Sequence, residues 1–163
     1  MDSKHDRSPL KSLSLYNPWH LIALGFGSGL APKAPGTFGS LAALPICMFM
    51  LYTPWPLLLL LCLVTMVVGT MAADKAEAAM GTHDNSAIVV DEFLGMFIAI
   101  IGYPADWRLS LLAFVLFRFF DILKPFPVNL ADRKIKGGLG VMTDDVLAGV
   151  YAALSAQIIF AFW

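Results

Sequence analysis

Residues 56–73 read PLLLLLCLVTMVVGTMAA, eighteen positions without a charged side chain. A bilayer core about 30 Å thick takes roughly 20 helical residues, so this stretch and its flanks predict a membrane-length helix. Four more apolar segments lie outward from it. Residues 38–52 precede it, with Pro45 inside as an expected kink. FLGMFIAIIGY from Phe93 and LSLLAFVLF from Leu109 follow and are shorter, and the last segment runs from Val146 to Trp163. Nothing alternates with a strand period over more than a few residues, and no repeat of fixed period is visible. The reading is all-α: a compact, membrane-embedded bundle of about three to five apolar helices. The segments from Phe93 and Leu109 span only by borrowing charged neighbours. Otherwise they are short helices buried in the bundle, or a re-entrant hairpin.

Composition agrees. The chain has 163 residues, enough for one domain, with 58% apolar and 14% charged residues and a mean hydropathy of +0.73. Soluble domains sit nearer 45–50% apolar and about 25% charged. Residues 1–16 are polar and read as a loose cytosolic tail, not a signal peptide, ahead of a single domain over 17–163. The net charge of −1 gives no basic excess for nucleic acid. Cys47 and Cys62 lie in apolar runs and read as core residues.

Threading all five segments through a membrane puts residues 53–55 and 104–108 on one side with the C-terminus. The other side receives Lys4, Arg7, Lys11, Lys33, Lys75, Arg118, Lys124, Arg133, Lys134 and Lys136, leaving Arg108 opposite. The excess of basic residues then marks that face as cytoplasmic. It also collects His83, Asp84, Asp91, Glu92, Asp121, Asp144 and Asp145, so the polar site is expected at the cytoplasmic end.

Four constellations carry that chemistry. LGFGSGLAPKAPGTFGS (24–40) sets glycines around Lys33 just ahead of a helix, an arrangement that suits phosphate or serves as a plain flexible loop. It is neither a Walker loop nor a dinucleotide fingerprint. In THDNSAIVVDEFLG (82–95), Asp91 and Glu92 stand where an ionised carboxylate is costly unless paired or coordinated, though a snorkelling pair at a helix start gives the same pattern. Gly95 leaves room beneath them for a ligand or another helix.

In FRFFDILKPFP (117–127), helical spacing puts Arg118, Asp121 and Lys124 on one face, and Pro125 closes the helix. These three are either a salt-bridge ladder or, with one cation left over, a phosphate clamp. In GGLGVMTDDVLAG (137–149), Asp144 and Asp145 follow a glycine loop and precede the last helix, where capping needs only one acid. Asp74 and Glu77 read as helix surface. Hard oxygen ligands from three of these stretches suit Mg²⁺.

The residues also narrow the chemistry. No Cys-x5-Arg, Asp-x-Asp or Pro-Ser-Gly-His stretch is present, so the phosphatase route still open is metal-assisted attack by water. The rival is a cation transporter or channel, which predicts acids spread through the membrane depth.

APGTFGS, IVVDEFLG, FRFFDILKPFP and DDVLAG, in this order, resemble the phosphatidylglycerophosphatase A family, and the resemblance covers roughly residues 17–151. It implies an all-helical bundle and an Mg²⁺-dependent lipid phosphatase. The implied reaction converts phosphatidylglycerol phosphate to phosphatidylglycerol at the cytoplasmic face of the bacterial inner membrane. Joined to the residue reading, it puts Asp91, Glu92, Asp144, Asp145 and Asp84 around Mg²⁺, with Asp121 as the group that orients or deprotonates water. Lys33, Arg118 and Lys124 neutralise the phosphate, with Gly36, Thr37 and Gly39 beside it.

Overall fold

A computed structural model describes residues 8–83 and 85–162. Seven α-helices follow one another: α1 Pro18–Ala23, α2 Pro35–Met50, α3 Trp55–Met80, α4 Val90–Ala99, α5 Trp107–Leu123, α6 Val128–Lys134 and α7 Gly137–Ala161. Short 3-10 turns at Ser8–Ser12 and Gly25–Leu30 complete the described elements, and no strand occurs among the described residues. The eighteen-residue run grew into the 26 residues of α3, about 39 Å of helix. Its inner face is cut from small residues and thin stems: Leu58, Cys62, Gly69, Ala73, Ala76 and Met80 are buried at helical spacing. Its other faces stay apolar in the open, with Leu60, Leu63 and Val67 all about half exposed. α3 and α7 are each long and apolar enough to cross a membrane.

The helix from Phe93 is the inverse of α3. α4 has ten residues, about 15 Å, and nearly all of them are buried. It packs against α7, α2, α3 and α5. Its close contact with α7 depends on Gly149, where a Cβ would meet the Gly95 carbonyl oxygen at 2.6 Å. Gly95 therefore makes room for neighbouring helices, and a Cβ there would run into the Phe117 ring of α5.

Two boundaries differ from the sequence reading. Ser8–Ser12, inside the stretch read as a loose tail, forms a 3-10 turn, and Leu10 and Leu13 pack on the core. α7 starts at Gly137, well before Val146, because its glycines press against neighbours: a Cβ on Gly138 would strike the Thr70 carbonyl of α3. The Gly138 amide also donates to Asp74 Oδ1 at 2.6 Å. Cys47 and Cys62 are buried free thiols.

The helices alternate in direction. The starts of α2, α4 and α7 and the ends of α3 and α5 therefore share one end of the bundle, and Arg108 lies at the other.

Candidate active site

α4 begins where it does because Asn85 turns the chain. The Asn85 side chain accepts from the Ala87 amide at 3.0 Å, and its carbonyl accepts from Ile88 at 2.9 Å. The Val89 amide then donates to the Ala23 carbonyl at 2.9 Å, tying this stretch to α1. Ile88, Val89 and Val90 are buried, which carries Asp91 and Glu92 inward in the first turn of α4.

α7 brings Asp145, 2% exposed, to the same place. Asp91, Glu92 and Asp145 each offer a carboxylate oxygen, and these oxygens lie within 4.8 Å of one another. Asp91 Oδ1, Glu92 Oε2 and Asp145 Oδ2 are buried without a hydrogen-bond partner. Buried carboxylate oxygens left unpaired are costly. Burial, and then the Glu92 charge, push the Asp91 carboxyl well above its ordinary range. Burial pushes Glu92 up to about 8, and the Asp145 and Asp121 charges add to this, while a hydrogen bond with Asp91 and the Arg118 cation oppose it. Such a cluster holds protons or a hard cation. Its all-oxygen donor set fits Mg²⁺.

α5 supplies the basic side chains. Arg118 Nη1 donates to Asp121 Oδ2 at 2.5 Å and lies 3.8 Å from Glu92 Oε1. Lys124 caps α5 in a left-handed conformation, φ 44°, directly before Pro125, and its Nζ donates to Asp144 Oδ2 at 2.7 Å. Arg118 and Lys124 both meet acids of other helices, although Lys124, left-handed at the end of α5, stands outside the helix whose spacing was counted. The leftover cation inferred from α5 alone is not left over, because Lys124 reaches across to α7.

Asp144 and Asp145 stand inside α7, beyond its second turn, and cap nothing. Asp144 turns toward Lys124 and lines a cavity of about 320 Å³ together with Asp91, Glu77, His83 and Lys136.

The remaining candidates divide. Gly36, at the start of α2, lies against the cluster, and a Cβ there would strike Glu92 Oε1 and sit 3.2 Å from Arg118 Nη1. The Thr37 amide bonds back to the Ala34 carbonyl. Gly39 is buried against Val89, where a Cβ would come within 2.8 Å, so it serves the fit of α2. Lys33 is exposed in the turn ahead of α2, at the same end. Asp84 lies outside the described residues.

Glu77 is the residue sequence reasoning missed. It is buried, not on the helix surface, and its Oε2 meets His83 Nδ1 at 3.3 Å. Its spacing from Gly69, Ala73 and Met80, which share the inner face of α3, was the available signal.

Buried carboxylates with unpaired oxygens, ringed by paired cations at one end of a helical bundle, offer a donor set that fits a hard cation beside side chains that suit a phosphate ester. The comparisons with known proteins point to a phosphatase. The family model for phosphatidylglycerophosphatase A matches residues 21–160, and the chain belongs to this family. It is 43% identical to phosphatidylglycerophosphatase A of Escherichia coli (strain K12), over 92% of this chain and 88% of that protein. It is 46% identical to phosphatidylglycerophosphatase A of Haemophilus influenzae, over 96% and 95%. A Bacteroides thetaiotaomicron protein provisionally named a phosphatidylinositol-3-phosphatase is 45% identical over 81% and 87%. No solved structure matches the chain significantly.

Proposed function

We propose that this chain hydrolyses the phosphomonoester of phosphatidylglycerol phosphate to phosphatidylglycerol and inorganic phosphate. In this reading it acts with Mg²⁺ at the cytoplasmic face of a bacterial inner membrane, which it crosses several times. The observation that carries the reading is the trio Asp91, Glu92 and Asp145, whose buried oxygens lie within 4.8 Å and include one unpaired atom on each residue. Asp91, Glu92 and Asp145 would hold the ion, with Asp144 beside them. Bound Mg²⁺ would supply charge neutralisation at the phosphate and favour attack by water.

The chain's own groups do the rest. Asp121, oriented by Arg118, accepts a proton from the attacking water. Water adds to phosphorus, the ester P–O bond breaks, and the glycerol oxygen leaves and takes up a proton. Arg118 and Lys124 meet the charge that builds on the phosphate oxygens, released in part from Asp121 and Asp144 as the anion arrives. Lys33, exposed at the same end, adds a longer-range attraction. The exposed apolar faces of α3 and α7 support a membrane setting in which only the headgroup reaches the polar end.

A transporter would spread its acids along the bundle axis, whereas Glu77, Asp91, Glu92, Asp121, Asp144 and Asp145 gather at one end. The test is phosphate release by detergent-purified protein from phosphatidylglycerol phosphate, phosphatidic acid and phosphatidylinositol 3-phosphate, each with Mg²⁺ and with EDTA. Release is expected from the first substrate, only with Mg²⁺, and lost in Asp121→Asn. Release that survives EDTA would remove the metal from the mechanism, and a preference for another lipid would reassign the substrate.

A further inference from the structure

A second cavity, of about 280 Å³, opens between α2, α3, α4 and the turn at Gly25–Phe26. Ile22, Phe26, Ile46, Val68, Phe93 and Phe97 are among its walls, and Thr65 is the one polar side chain lining it. It is not part of the carboxylate cluster, but one end of it lies at the same level of the bundle, because Val90, which lines it, shares the first turn of α4 with Asp91.

From Val90 to Phe97 the groove descends about 10 Å along α4, and from Gly69 back to Val64 roughly 8 Å along α3. It therefore leads away from the acids into the apolar part of the bundle. Its mouth is continuous with the exposed apolar faces of α2 and α3, where Ile46 and Val64 are 39% and 49% exposed.

The lip of the groove is built at a conformational cost. Phe26 has φ 57°, a left-handed conformation that strains a non-glycine residue, and lies between Gly25 and Gly27, which are also left-handed. Gly25 lets the backbone press on Phe93, since a Cβ there would come within 2.7 Å of its ring. The outcome is an aromatic ring 68% exposed, edge-to-face with Phe93 at 6.2 Å. Core packing gives no reason to hold a strained ring out at the mouth of an apolar channel.

We infer that this groove is the acyl-chain subsite of the enzyme: it takes one fatty-acyl chain of the lipid whose phosphate sits at Asp91, Glu92 and Asp145, an inference that rests on the lipid phosphatase reading. Headgroup and chain then enter along one path, phosphate at the polar end and hydrocarbon down the face of α4. The groove makes the enzyme select for long chains, which a site reading phosphate alone would not do.

Two measurements test this. The first is kcat/KM for dihexanoyl and dipalmitoyl phosphatidylglycerol phosphate in wild type, Val68→Trp, Ile46→Trp and Leu63→Trp, the last on an exposed face of α3 turned away from Val64 and Val68. Either groove-filling variant should lower the long-to-short ratio at least about tenfold, as loss of pocket contacts to a few methylenes does, while Leu63→Trp leaves the ratio unchanged. A ratio unmoved in both filled variants overturns the proposal.

The second measurement does not depend on turnover. Phosphatidylglycerol phosphate with a diazirine on one acyl chain is irradiated with the purified protein and the labelled peptides are mapped. Labels are expected in residues 22–26, 64–69 and 90–97, and to be lost from them in Val68→Trp. Labels spread over the outward faces of α2 and α3 would contradict the proposal. So would equal groove labelling by a phosphatidylethanolamine carrying the same chain, which would make it a general lipid crevice. Groove labelling by a wild type that releases no phosphate would keep the subsite and sink the hydrolysis, so the two failures are distinguishable.

Discussion

α3 and α4 are both apolar helices, and they have opposite tasks. α3 is 26 residues long and leaves leucine and valine in the open over most of its length, keeping a narrow seam of small residues for the bundle. α4 is ten residues long, buried nearly all round, and opens with two acids. A helix of about 15 Å cannot cross a 30 Å hydrocarbon layer. Its first turn therefore ends inside the bundle, sheathed by the longer helices, instead of out at a surface. The carboxylates it carries are buried for the same reason that it is short. Length thus separates the helix that meets its surroundings from the helix that carries the buried acids.

That contrast can be broken in order of effect. Asp145→Asn or Asp91→Asn is expected to lower kcat about a hundredfold or more, whereas Leu60→Ala on the open face of α3 should stay within about twofold. Steady-state phosphate release compares the two directly. Arg118→Lys keeps the charge but loses the guanidinium whose Nη1 bonds Asp121 and approaches Glu92, so a fall of roughly tenfold in kcat/KM is expected. Full activity in that variant would mean that only the charge of Arg118 matters.

Packing of the short helix is the next point of attack. Gly149→Ala puts a methyl group against the Gly95 carbonyl and should cost about 1–3 kcal/mol, read as a lower apparent melting midpoint in detergent. Alanine at Leu63, exposed on α3, should not move it.

The smallest effect is a pH dependence. Glu92 is raised from 4.5 to about 8 in the folded chain, so metal-free folded protein keeps a proton that the unfolded chain releases. Its contribution to stability is fully present below about pH 4.5 and is lost as pH rises through about 8. Metal-free protein should therefore melt several degrees lower at pH 9 than at pH 6, and Mg²⁺ should restore more at pH 9, where it no longer competes with a proton.

Much of this was legible beforehand. The uncharged run of α3 needed only its length to be read, and the acids of α4 and the charged face of α5 needed only helical spacing. The start of α7 was not legible, because glycine is a poor helix former and GGLG reads as a loop. Contact with α3, through the Thr70 carbonyl and the Asp74 side chain, overrides that propensity and moves Asp144 and Asp145 from a cap into the helix. Glu77 was hidden by its polar neighbours Asp74 and Lys75, although its register on the small-residue seam of α3 marks it as buried. Lys124 and Asp144 are twenty residues apart, and no local pattern announces a pair formed across two helices.

The central claim is that Asp91, Glu92 and Asp145 form one Mg²⁺ site that drives hydrolysis of a lipid phosphate. Phosphate release from phosphatidylglycerol phosphate, titrated with Mg²⁺ in wild type and in Asp145→Asn, tests it most directly. Wild type is expected to show saturable Mg²⁺ activation, and the variant to be nearly inactive and to need far more Mg²⁺ for what it retains. An Asp145→Asn enzyme with the wild-type Mg²⁺ dependence and rate would contradict it.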